Sequence, residues 1–206
     1  MDIFLLDRNG GLVDLWQQYF SEDNVMPVRG FFDVFMDPYD VQCVVSPANS
    51  YGIMDGGYDG AITRYFGDGL QRCVQDHIIN HYYGEQPVGT SFMVDIPGSD
   101  KKLIHTPTMR APSAIADPLV VYRCMRTTLM CALNNRVESI VIPAFGGATG
   151  NVPYRSIAAL MKEAYDQVMN PPKSLNWEYA NRYLEDRFRE MQRRCWRALR
   201  ALEIIQ

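Results

Sequence analysis

Two unbroken apolar stretches each run straight into a long glycine-rich loop and then into helix-forming sequence. The first is "VQCVVS" (41–46), followed by "PANSYGIMDGGYDGAITRYFG"; the second is "SIVIPA" (139–144), followed by "FGGATGNVP". A strand that is apolar on both faces has to be covered on both faces, which places it in the middle of a parallel sheet between helices. In such sheets the loops that leave the carboxyl ends of the strands share one edge, and ligands bind there. The pair of strand–loop–helix units therefore restricts the chain to an α/β architecture and points to one edge of it.

The rest of the chain fits that frame. "DIFLLD" is a short first strand, and Leu12, Leu15, Trp16 and Tyr19 recur at helical spacing after it. "NVMPVRGFFDVF" is broken by Pro27 and Gly30 and reads as strand and loop. Helices are predicted over 60–66 and 70–81. "TSFMVDI" and "KKLIHT" follow as two strands separated by the turn residues Pro97 and Gly98. Asp117 and Pro118 suit the start of a helix carrying Val121, Cys124, Thr128 and Cys131 on one face, which Asn134 and Asn135 end. A last helix runs from Pro153 to about Met169. Strands alternating with helices imply helices on both faces of a largely parallel sheet.

Pro171 and Pro172 close this unit, so the expected division is a domain over 1–170 and a helical extension over 171–206. In the extension Leu184, Phe188, Met191, Cys195, Leu199 and Leu202 trace one helical stripe. Residues 173–206 hold eight Lys/Arg and five Asp/Glu, a net of +3, against −4 for the whole chain of 206 residues. The expectation is a helix docked on its own domain in a monomer; a dimerisation helix or a basic docking surface is the alternative.

Composition excludes several classes. With 47% hydrophobic and 21% charged residues the chain is ordinary for a globular protein. The net acidity gives no reason to expect a nucleic-acid partner, and no apolar run is long enough to span a bilayer. "MDIFLLDRNG" lacks the features of a signal peptide. Cys43, Cys73, Cys124, Cys131 and Cys195 are scattered and form no CxxC pair, which reads as reduced thiols in a cytoplasmic, intracellular protein. No cofactor is called for, and no His/Cys/Asp spacing suggests a metal site.

Glycine lets backbone N–H groups approach a ligand closely, and a helix N-terminus adds partial positive charge. Two such loops on one sheet edge make a site for a diphosphate. Neither loop carries the Walker lysine, and neither matches GxGxxG with a downstream acid. Asp59 can cap the helix after it or act on a ligand. His105 reads as a core histidine, Asp55 as a loop-shaping residue, and Arg110 as reaching either the pocket or a surface carboxylate.

"VVSPANS", "GGYDGAI", "HTPTMR" and "IPAFGGATGNVP" together resemble a macro domain, the ADP-ribose-binding fold, and are most similar to its tail-like subgroup. The likeness covers roughly Val41 to Val168. It implies a three-layer α/β/α sandwich around a mixed, largely parallel sheet of about six strands. It implies that Asn49 contacts the distal ribose of ADP-ribose, that Ser50 beside it is a ligand-binding residue, and that Gly56, Gly57, Tyr58, Asp59 and Gly60 wrap that ribose and the diphosphate. Gly146, Gly147, Ala148, Thr149, Gly150 and Asn151 match the second phosphate loop. Asp59, with Asn49, matches the position that works in ADP-ribosyl hydrolases of the family.

Two departures stand out. The acid that usually follows the glycine of the preceding strand is replaced by Phe31 and Phe32, leaving Asp33 as the nearest carboxylate for adenine. The second loop lacks the aromatic of many hydrolytic relatives, so Tyr51 or Tyr58 is left to supply a ring. The implied activity is hydrolysis of an ADP-ribosyl bond, with the ligand's own diphosphate holding the water. The alternatives are a reader that binds ADP-ribose without turnover, and a fold reused for assembly.

Overall fold

Apolar residues at every second position of the strands feed two separate cores. The computed structural model describes residues 1–182. Along the chain run β1 (Asp2–Asp7), α1 (Gly10–Tyr19), β2 (Val25–Arg29), α2 (Phe32–Met36), β3 (Cys43–Ser46), α3 (Gly57–Phe66), α4 (Gly69–Tyr82), β4 (Phe92–Asp95), β5 (Lys102–His105), α5 (Leu119–Asn134), β6 (Ser139–Pro143), α6 (Tyr154–Met169) and α7 (Trp177–Arg182). The strands form one six-stranded sheet in the order β2-β1-β6-β3-β5-β4. All neighbours are parallel except β4, which runs antiparallel to β5.

Ile3, Leu5, Cys43, Val45, Ile104, Ile140 and Ile142 point to one face, where they pack with residues of α1, α5 and α6. Phe4, Leu6, Val44, Leu103 and Val141 point to the other, against α2, α3 and α4. This alternation is the period of two that a pleated strand imposes, and it produces the three-layer α/β/α sandwich. β3 and β6 lie inside the sheet, as their continuous apolar sequence requires. Pro27 is accommodated because β2 is an edge strand, where a missing N–H leaves no central ladder bond unmade.

The structure departs from the sequence reading in two places. The stretch after Gly30, read as loop, contains helix α2, whose Phe32, Phe35 and Met36 are buried in the second core. Helix α3 starts at Gly57, with Gly56 in the capping position, so Asp59 lies inside the first turn and is not the N-cap. The start of α5 is close to expectation: the Asp117 carboxylate accepts from the Leu119 N–H at 3.1 Å.

Met1–Met169 forms one compact unit and a second begins at Asn170. In the second, Asn176 Oδ1, just before α7, accepts from the Tyr179 N–H at 2.8 Å. The stripe from Leu184 to Leu202 lies outside the described residues. Among the described residues no helix is long and apolar enough to cross a membrane.

Candidate functional site

The carboxyl ends of β2, β1, β6 and β3 open onto a cleft of about 1040 Å³. Five connections line it: the loop from β3 into α3, the loop from β6 toward α6, the short turn from β1 into α1, the stretch from Gly30 into α2, and the loop after β5. Of the residues singled out in the sequence, Asp33, Asn49, Gly56, Gly57, Tyr58 and Asp59 line the cleft, as do Gly146, Gly147, Ala148, Thr149 and Gly150. Ser50, Gly60 and Asn151 are not among its lining residues. Ser50 and Gly60 are buried, and Asn151 is exposed in a left-handed conformation.

The first loop is held by its own side chains. Asn49 Oδ1 accepts from the N–H groups of Tyr51 (3.1 Å) and Ile53 (3.3 Å), and its Nδ2 donates to the Ile53 carbonyl at 2.8 Å. Both carbonyl lone pairs are thus used in shaping the loop, and the side chain can offer a ligand only one remaining amide hydrogen. Gln71 Oε1 fixes the Met54 N–H at 2.7 Å. Gly57 has φ +55°, a conformation open to glycine at little cost, and no atom lies within 4 Å of where a side chain would start.

Asp59 sits where this loop becomes helix. Its Oδ1 accepts the Ser46 hydroxyl at 2.6 Å, so the end of β3 and the start of α3 are tied through the carboxylate. Burial pushes the Asp59 carboxyl up to about 7; the Ser46 bond opposes that shift and the Asp55 charge adds to it. Tyr58, beside it, has a buried hydroxyl with no partner among the described residues. Burial, then the charges of Asp59 and Asp7, hold that phenol well above its ordinary value. Its ring packs edge-on against Phe32, with centroids 5.4 Å apart. A buried hydroxyl ordinarily finds a partner, and Tyr58 is among the residues that line the cleft.

The second loop is an array of donors. Gly146 has φ +75°, and a side chain there would start 2.8 Å from Ile115 Cδ1 and 3.1 Å from Val152 Cγ2. The turn closes through Val152 N–H to the Gly146 carbonyl (3.0 Å) and Asn151 N–H to the Ala148 carbonyl (3.0 Å). Among the described residues, the N–H groups of Gly146, Gly147, Ala148 and Thr149 have no acceptor. Successive unpaired N–H groups in a tight turn make a concavity suited to an anion.

The third of these connections escaped the sequence reading. Asp7, Arg8 and Asn9 line the cleft from the β1–α1 turn, and Tyr154 lines it from the start of α6. Their place depends on strand order, because β1 is inserted between β2 and β6. The only local hint is the "DRNGG" turn itself. Burial raises the Asp7 carboxyl, against the opposing effects of the Asn9 N–H and the Arg8 charge.

Other candidates lie elsewhere. His105 is fully buried, with Nδ1 2.6 Å from Gln86 Oε1, and burial lowers it to about 3, so it is a neutral core histidine. Arg110 pairs through both nitrogens with Glu85 at 2.8 and 2.9 Å and lies over the Tyr51 ring, outside the cleft. Tyr51 therefore does not supply an aromatic wall. The exposed rings beside the cleft are Phe31, Tyr65 and Tyr154. Among the described residues no group of three His, Cys, Asp or Glu is placed to hold a metal ion.

The Macro domain family profile matches residues 45–161. An uncharacterized protein of Aquifex aeolicus is 31% identical over 126 residues, which is 60% of this chain and 72% of that protein. One of Aeropyrum pernix is 29% identical over 126 residues, 60% of this chain and 61% of its own length. Among solved structures, an Oceanobacillus iheyensis macrodomain mutant with ADPR superposes with a TM-score of 0.55 at 22% identity, covering 63% of this chain and 71% of its own. The macrodomain of Mycobacterium tuberculosis DarG gives 0.54 at 19%, covering 63% and 84%. A Trypanosoma brucei macrodomain in complex with ADP gives 0.52 at 21%, covering 65% and 54%. At these identities the structural likeness establishes the fold.

Proposed function

The chain belongs to the macro domain family, and on that footing we propose that its cleft binds ADP-ribose or an ADP-ribosyl group and hydrolyses the bond joining it to a substrate. The ligands named for the Oceanobacillus iheyensis and Trypanosoma brucei proteins, ADPR and ADP, support the ligand class. The donors of the second loop suit the diphosphate, and the β3–α3 loop suits the distal ribose.

The observation that carries the catalytic part is Asp59. Its carboxyl is raised to about 7, the residue lines the cleft, and its charge acts on the unpartnered Tyr58 hydroxyl. A carboxylate with a pKa near the working pH is suited to general-base chemistry. The ionised form accepts a proton from a water held by the diphosphate while the water oxygen attacks the anomeric carbon. The bond from that carbon to the leaving group breaks, and the leaving group takes up the proton that Asp59 accepted, which restores the carboxylate. Asn49 acts as a positioning residue, because its amide is engaged in the loop.

That engagement of Asn49 is also what favours the second reading, a module that holds ADP-ribose without turnover. Release of ADP-ribose from acidic-residue-, arginine- and nucleic-acid-linked substrates separates the two. Hydrolysis predicts turnover that falls about 10²–10⁴-fold in Asp59→Asn with affinity for ADP-ribose little changed. Binding without turnover on any of these substrates establishes the reader.

A further inference from the structure

Resting on the reading of the cleft as an ADP-ribose site, we propose that Arg8, on the turn between β1 and α1, is an anchoring residue for the ligand's diphosphate. It lies outside the segment matched by the family profile, residues 45–161.

β1 and β6 are parallel neighbours with Leu6 opposite Pro143, so the two chains leave the sheet at the same level. The residues that follow, Asp7 to Asn9 and Ala144 to Gly150, line the same cleft. The turn is fixed on both sides of Arg8. Asp7 Oδ1 accepts the Asn9 N–H at 2.7 Å, and Asn9 Nδ2 donates to the Tyr154 hydroxyl at 3.0 Å. The Tyr154 ring in turn lies 4.0 Å from where a side chain on Gly147 would start. A continuous set of contacts therefore joins the Arg8 turn to the second glycine loop.

Arg8 itself is exposed and makes no hydrogen bond or ion pair among the described residues. An exposed, unpaired arginine is unremarkable on most surfaces. Here it lines the same cleft as Gly146 to Thr149, whose N–H groups also lack acceptors among the described residues. A cation carried on a fixed turn and an array of neutral donors lining one cleft suit an anion with several oxygens. A guanidinium engages phosphate oxygens through two parallel N–H bonds. Arg64, the other arginine lining the cleft, lies against Gly60 on the first-loop side.

Calorimetric titration of the full chain with ADP-ribose and with ADP tests this. Arg8→Ala should weaken both ligands about tenfold, the scale of a charge-assisted hydrogen bond, with an unchanged melting temperature. Arg8→Lys should recover part of the loss. Arg29→Ala, which removes a cation from the β2 position opposite Asp7 but outside the cleft lining, should stay within about twofold. Wild-type affinity in Arg8→Ala, or an equal loss in Arg29→Ala, would overturn the assignment while leaving the ADP-ribose reading intact. A wild-type chain that binds neither ligand would overturn both.

Discussion

Ser46, the last residue of β3, donates its hydroxyl to the Asp59 carboxylate in the first turn of α3 at 2.6 Å. The bond spans the thirteen-residue separation between them and closes the loop that forms one wall of the cleft. It also acts on the chemistry: it favours the ionised carboxylate, while burial, the larger effect, favours the neutral acid.

The competition makes stability depend on pH. The Asp59 carboxyl has an ordinary value of 3.8 and a folded value of about 7, so between these the folded chain holds a proton that the unfolded chain has lost. The stability associated with the neutral acid is present below about pH 4 and is lost as pH rises through 7. Asp59→Asn keeps an acceptor for Ser46 and removes that loss. Thermal melts should show the variant more stable than wild type at pH 8, by on the order of 2–4 kcal/mol, and nearly equal to it at pH 4. Turnover by the wild type should rise with pH through about 7.

The second loop depends on Gly146. A methyl group there would start 2.8 Å from Ile115 Cδ1, at φ +75°. Gly146→Ala should cost about 1–3 kcal/mol in stability and weaken ADP-ribose by deforming the turn that aims the N–H groups. Chemical denaturation and calorimetry on the same variant check the two effects.

Arg110 offers the opposite expectation. Its pair with Glu85 is exposed and its side chain is outside the cleft lining. Arg110→Ala should leave both the melting temperature and the affinity for ADP-ribose at wild-type values. A loss of affinity would show that the side chain reaches the ligand.

The sandwich and two walls of its cleft were legible in the sequence because central strands declare themselves. Residues 43–45 and 140–143 are apolar throughout, and the loops after them hold more glycine than a turn needs. The wall from the β1–α1 turn was not legible. Asp7, Arg8 and Asn9 occupy an ordinary strand–helix turn, and only the insertion of β1 between β2 and β6 carries them to the cleft. Helix α2 was missed because five residues are too few to display a helical period. The capping alternative for Asp59 fell because α3 begins at Gly57, a residue with little helix preference of its own that sequence alone does not mark as a first turn.

Calorimetric titration of the wild-type chain with ADP-ribose tests the central claim most directly. The account predicts saturable binding in the micromolar range, about −8 kcal/mol, with ADP weaker than ADP-ribose because the distal ribose is missing. No heat and no thermal shift at millimolar ADP-ribose would contradict it.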